Sequence, residues 1–133
     1  MHLEALIDIV TDDDVISARQ QGRMLAAEVG LPPLDQAMVA AAITELASNI
    51  LVYAGRGEML FHSIEDLGRR GIAVIARDVG PGIPKLKEAL EASYAVAGGL
   101  GLGLRGVKGL MDSLEIISVP GRGTTVTARK WSS

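Results

Sequence analysis

Residues 45–49 read Glu-Leu-Ala-Ser-Asn (ELASN) within the longer stretch Leu34 to Tyr53, where Val39, Ile43, Leu46, Ile50 and Tyr53 recur at helical spacing. On such a helix Glu45 and Asn49 lie one turn apart and share a face, which is not the apolar stripe. Taken alone, the pair reads as a polar, solvated helix face. Three blocks downstream change that reading: Asp78 to Pro84 (DVGPGIP), Gly98 to Leu104 (GGLGLGL) and Gly121 to Thr125 (GRGTT). A carboxylate and an amide one turn apart, an acid ahead of two glycines, and a long glycine run are the parts needed to hold ATP with a metal.

Around this helix the chain reads as alternating strands and helices, with no internal repeat, low-complexity tract or linker. Residues 3 to 10 predict a strand. A helix follows from about Asp13 to Val29, with Val15, Ala18, Gly22, Leu25 and Val29 on one face, acids at its start and Gly30 closing it. Pro32 and Pro33 break the chain before the ELASN helix, and Gly55 and Gly57 end that helix. Glu58 to Ile64 and Ile72 to Asp78 predict strands joined by a polar loop containing Gly68 and Gly71. A helix or lid from Lys85 to Ala97 and a helix from Leu102 to Ser113 come next. Glu115 to Val119 and Thr125 to Trp131 close the chain as a hairpin around Gly121-Arg122-Gly123. The expected fold is α/β: a two-layer α/β sandwich, with helices on one face of a mixed, mostly antiparallel sheet.

Each block has its own chemistry. Mg²⁺ prefers oxygen ligands and keeps several waters while bridging phosphates, so the Asn49 side-chain oxygen suits it without adding charge beside a triphosphate. Glu45 is then placed to accept a proton from an attacking hydroxyl. Asp78 ends an apolar strand; it can cap the following turn, or accept a hydrogen bond from the exocyclic amine of adenine while Gly80 and Gly82 let the base approach the backbone. Ile83 then lines the apolar side of the base. The run Gly98, Gly99, Leu100, Gly101, Leu102 and Gly103 leads into a helix, where backbone amides and the helix N-terminus suit phosphate. Arg105, in the first turn, reads equally as a contact to the terminal phosphate or as surface, and Lys85 and Lys87 are lid candidates for phosphate contact. Gly101 to Gly106 also satisfies GxGxxG, but without a preceding strand or a later acid the dinucleotide reading fails.

Size and composition narrow the classes. The 133 residues fit one domain, and with 48% hydrophobic but 3% aromatic residues its core must be aliphatic. Thirteen basic against 16 acidic residues give a formal charge of −3, which argues against a nucleic-acid partner. The pairs Arg69-Arg70 and Arg129-Lys130 read as solvated surface. There is no cysteine, hence no disulfide and no thiolate metal site. The first ten residues carry Glu4 and Asp8 and no basic leader, and no uncharged apolar run nears the ~18 residues of a membrane span, so a cytoplasmic protein without membrane contact is expected. Phosphate-loop (GxxxxGK[ST]) and eukaryotic-kinase catalytic-loop motifs are missing, and His2 and His62 read as structural or surface.

In order and spacing, the four blocks resemble the Bergerat nucleotide-binding fold of the GHKL ATPases, over residues 45 to 125. The run Val15 to Gly30, the stretch ELASNILVYAGRG and the ending GRGTTVTARKW are similar to the switch-protein serine/threonine kinases of the stressosome. That resemblance implies ATP and Mg²⁺ as cofactors, Glu45 as base, Asn49 as metal and nucleotide ligand, Asp78 on adenine, and Thr124 closing the adenine pocket. It also implies a kinase that phosphorylates STAS-domain scaffold and antagonist proteins and, once released, activates a PP2C-type phosphatase. An anti-sigma factor of the same fold, which sequesters a sigma subunit, shares all four blocks and is the alternative; an ATPase driving dimer closure fits the short lid poorly. The face of Arg19, Gln20, Gln21 and Arg23 is a candidate partner surface and equally an ordinary wet helix.

Overall fold

The computed structural model describes residues 1–82 and 103–132. In chain order these form β1 (His2–Ile9), α1 (Asp12–Glu28), α2 (Pro33–Ala54), β2 (Gly57–Asp66), β3 (Arg69–Asp78), α3 (Gly103–Leu110), β4 (Ser113–Val119) and β5 (Gly123–Trp131). The five strands build one sheet in the order β1-β2-β3-β5-β4. Every pairing is antiparallel, so the mostly antiparallel sheet expected from the sequence is wholly so among the described strands. Helices α1 and α2 pack against each other and on the sheet, and α3 packs on α2, which gives the two-layer sandwich.

Local chemistry sets the element ends. The Asp14 carboxylate accepts the backbone N–H groups of Val10 and Thr11, each at 2.9 Å, and so closes the start of α1. Pro33 occupies the first turn of α2, where its missing N–H costs nothing, and Gly55 ends the helix at φ +81°. Residues Asp66 and Arg69 pair across a two-residue turn in which Leu67 and Gly68 both have positive φ. This is the primed geometry that matches strand twist. The polar loop expected there is thus shorter, and Gly71 belongs to β3.

The core lies between the helices and the sheet. Phe61, Ile9, Ile43, Leu46, Met59, Ile72 and Val74 are all fully buried there, each contributing about 1.5–3 kcal/mol relative to exposure. By length and composition α2 could cross a membrane. Here it is the core helix, buried almost continuously from Val39 to Ile50 because α1, α3 and the sheet surround it.

Three expectations need correction. Tyr53, placed in the buried stripe of α2, is 46% exposed because it lines an open cleft at that end of the helix. The helix expected to reach Ser113 stops at Leu110; Asp112 N–H already donates to the Arg129 carbonyl at 2.8 Å, which starts β4 pairing. Lys130, read as solvated, is buried on the helix side of β5. Its neighbour Trp131 carries the Arg69 guanidinium 4.7 Å above its ring. The expected helix at 85–97, with Lys85 and Lys87, lies outside the described residues.

Candidate nucleotide site

A cleft opens at the C-terminal end of α2. Its walls are Leu46, Asn49, Ile50 and Tyr53 of α2, Ala76 and Asp78 of β3, Pro81 and Gly82 beyond β3, Leu104 of α3, and Thr124 and Val126 of β5. The structure thus joins three of the four sequence blocks in one place, and the beginning of α3 brings the end of the fourth. Among the predicted residues, Asn49, Asp78, Gly82 and Thr124 line the cleft. Ile83 and Gly98 to Leu102 lie outside the described residues.

Glu45 is fully buried, which agrees with setting aside the solvated-face reading of the pair taken alone. It sits one turn below Asn49 on α2, at the inner end of the same helix face. The Asn49 Oδ1 is shut off from solvent and has no hydrogen-bond partner among the described residues. A buried carbonyl-type oxygen without a donor is costly, and a hard cation satisfies it. Among the described residues no group of three or more His, Asp or Glu side chains gathers to hold a metal. A cation at Asn49 therefore has to take its other ligands from phosphate and water, as Mg²⁺ commonly does. On this observation the residues fit a magnesium–triphosphate.

Asp78 caps the following turn, as its sequence context allowed: its Oδ1 accepts the Gly80 N–H at 2.9 Å. Its side chain also lines the cleft. Thr124 stands directly across from Asp78 in the β3–β5 ladder, and its hydroxyl lies 2.9 Å from that of Ser118. The two glycines serve chain packing before any ligand. A Cβ on Gly80 would fall 2.5 Å from that of Ala54, and Gly82 has φ +81° with its Cβ position 2.7 Å from the Val119 carbonyl oxygen. The Gly121 N–H donates to the Pro81 carbonyl at 2.8 Å, tying this loop to the β4–β5 turn. Gly103 opens α3 at φ +64° and is buried, and Arg105 is exposed on the same first turn.

Sequence reasoning missed the apolar walls. Tyr53, Ile50 and Leu104 give the flat, greasy surround that a base needs, and Tyr53 had a usable signal: Glu45, Asn49 and Tyr53 follow one another at steps of four.

The histidine kinase-like ATPase domain family matches residues 10–130. The chain belongs to that family. This histidine kinase-like ATPase is also 44% identical over 131 residues to the serine/threonine-protein kinase RsbT of Bacillus subtilis (strain 168), covering 98% of each chain. It is accordingly an RsbT-like serine/threonine-protein kinase that uses ATP. Two solved structures share its fold. The RsbU and RsbW domains of a Mycobacterium tuberculosis protein superpose with a TM-score of 0.61 at 19% identity, over 98% of this chain and 34% of that one. The SiaB-SiaC complex of Pseudomonas aeruginosa gives 0.58 at 15% identity, over 98% and 91%.

Proposed function

We propose that this kinase transfers the ATP γ-phosphoryl group to a serine or threonine of a STAS-domain protein in a cytoplasmic partner-switching pathway and, once released, activates a PP2C-type phosphatase. The observation that carries the reading is the buried carboxylate of Glu45 one turn from the unsatisfied oxygen of Asn49, which lines a cleft together with Asp78, in a chain 44% identical to RsbT. Asp78 and Thr124 hold the adenine, Tyr53 and Ile50 flank it, and Asn49 holds the magnesium. The magnesium held there would supply charge neutralisation for the triphosphate. Glu45 takes the proton as the substrate hydroxyl oxygen bonds to the γ-phosphorus and the bond to the bridging oxygen of ADP breaks, so the protein contributes mainly positioning and field.

The test mixes the protein with labelled ATP, Mg²⁺ and a STAS-domain protein, with Glu45→Ala as control. Label on a serine or threonine of the STAS protein, lost in the variant, is the expected result. Magnesium-dependent ATP binding without transfer would overturn the substrate assignment and favour sequestration of a sigma subunit.

A further inference from the structure

We propose that Ser118 is a positioning residue for the adenine base: from the edge strand β4 it orients the Thr124 hydroxyl so that its hydrogen is given to an acceptor on the base. The inference rests on the nucleotide reading above. Asp78, Thr124 and Ser118 pair in a single row across three neighbouring strands, β3, β5 and β4. Side chains paired across antiparallel strands share a face of the sheet, and Asp78 and Thr124 both line the cleft. Ser118 therefore stands directly behind Thr124. Their hydroxyl oxygens lie 2.9 Å apart, in a hydrogen bond that either can donate. Thr124 is buried, so its hydroxyl depends on protein or ligand for partners.

The next row of the same face is apolar. It consists of Ala76, Val126 and Ile116; the first two wall the cleft and Ile116 packs on the core, as does Leu114 before it. For packing alone, β4 would continue this inward series with another β-branched apolar residue; at position 118 it presents a hydroxyl instead. A hydroxyl has one hydrogen to give and two lone pairs to receive with. When Ser118 donates to Thr124, the Thr124 hydrogen is released toward the cleft, and the bond that Thr124 accepts strengthens the one it gives. Adenine carries the acceptor N1 beside the exocyclic amine, so Thr124 serves the ring nitrogen while Asp78 accepts from the amine. Guanine carries the reverse, an N1–H beside a carbonyl oxygen, which sets donor against donor and acceptor against acceptor. The row thus reads the base, and Ser118 fixes its polarity.

The experiment measures, by calorimetry with Mg²⁺, the affinities of ADP and of 1-deaza-ADP, in which C–H replaces N1, for the wild type, Ser118→Val and Ser118→Thr. The two variants match in shape and differ by a hydroxyl, and both residues suit a strand. Ser118→Val is expected to weaken ADP about two- to tenfold, the scale of one hydrogen bond, and to leave 1-deaza-ADP nearly unchanged. Ser118→Thr is expected to bind ADP as the wild type does. An equal fall in both ligands means a packing role and overturns the proposal, as does no fall in either, or a loss in Ser118→Thr that matches Ser118→Val. Should Ser118→Val not fold, Ser118→Ala is read by the same ratio. If the wild type itself binds ADP no better than 1-deaza-ADP, the placement of the base against Thr124 fails, and if it binds neither, the nucleotide reading fails; both outcomes are distinct from failure of the serine alone.

Discussion

Glu45 brings a carboxylate to a fully buried position on α2, one turn from Asn49. Replacing it with glutamine keeps the shape and removes the base. Glu45→Gln is therefore expected to lower phosphoryl transfer by about 10²- to 10⁴-fold while nucleotide binding persists, read by label transfer and calorimetry. Asp78→Asn separates the two jobs of that side chain. The amide oxygen still accepts the Gly80 N–H, so the turn persists, but its nitrogen offers a donor where adenine needs an acceptor. ATP affinity is expected to fall, and an unchanged dissociation constant would show that the base lies elsewhere. Much of this was legible in the sequence because Glu45, Asn49 and Asp78 sit in short blocks whose chemistry is local. Tyr53 and Lys130 were not. Helical periodicity tells which face a residue shares but not where a cleft opens along it, and a basic pair says nothing of strand alternation, which turned Lys130 inward beside an outward Arg129.

The loop after β3 and the start of α1 are the elements whose integrity is easiest to test. Gly82 combines φ +81° with a Cβ position 2.7 Å from the Val119 carbonyl, and backbone cannot move aside as a side-chain tip can. Gly82→Ala is expected to cost about 1–3 kcal/mol in denaturant unfolding and to weaken ATP, because the same residue walls the cleft. At the start of α1, the backbone N–H of Val10, and then that of Thr11, hold the Asp14 carboxyl below its ordinary value of 3.8. A lowered folded-state value means that this capping stabilises the fold above 3.8 and is lost as pH falls through the lower, folded value. The stability difference between wild type and Asp14→Ala is expected to shrink over that acid range; a constant difference would show that the carboxylate charge is irrelevant there. The succession of strands and helices was readable from periodicity and from the prolines and glycines between elements. The β2–β3 turn was not, because Leu67 at positive φ lacks the Asn-Gly or Asp-Gly signature of such turns.

The whole molecule couples these parts through nucleotide. Leu46 and Ile50 belong to the core and also wall the cleft, so a ligand that binds only the folded chain must raise its stability. At a hundredfold excess over Kd the gain is about 2.7 kcal/mol, on the order of 10 °C in Tm. Chelating magnesium should remove much of that shift in the wild type and little of it in Asn49→Ala, and equal sensitivity to chelation in the two would take the metal away from Asn49. The strand order has a further result for the life of the chain. β5 is made after β4 yet lies inside it, between β4 and β3, and it brings Thr124 opposite Asp78. While the ribosome is still adding the residues of β5, β4 has no neighbour in the sheet and the cleft lacks the wall that Thr124 and Val126 provide. A nascent chain therefore completes this cleft only once a late strand has entered the middle of a sheet whose other strands are already made.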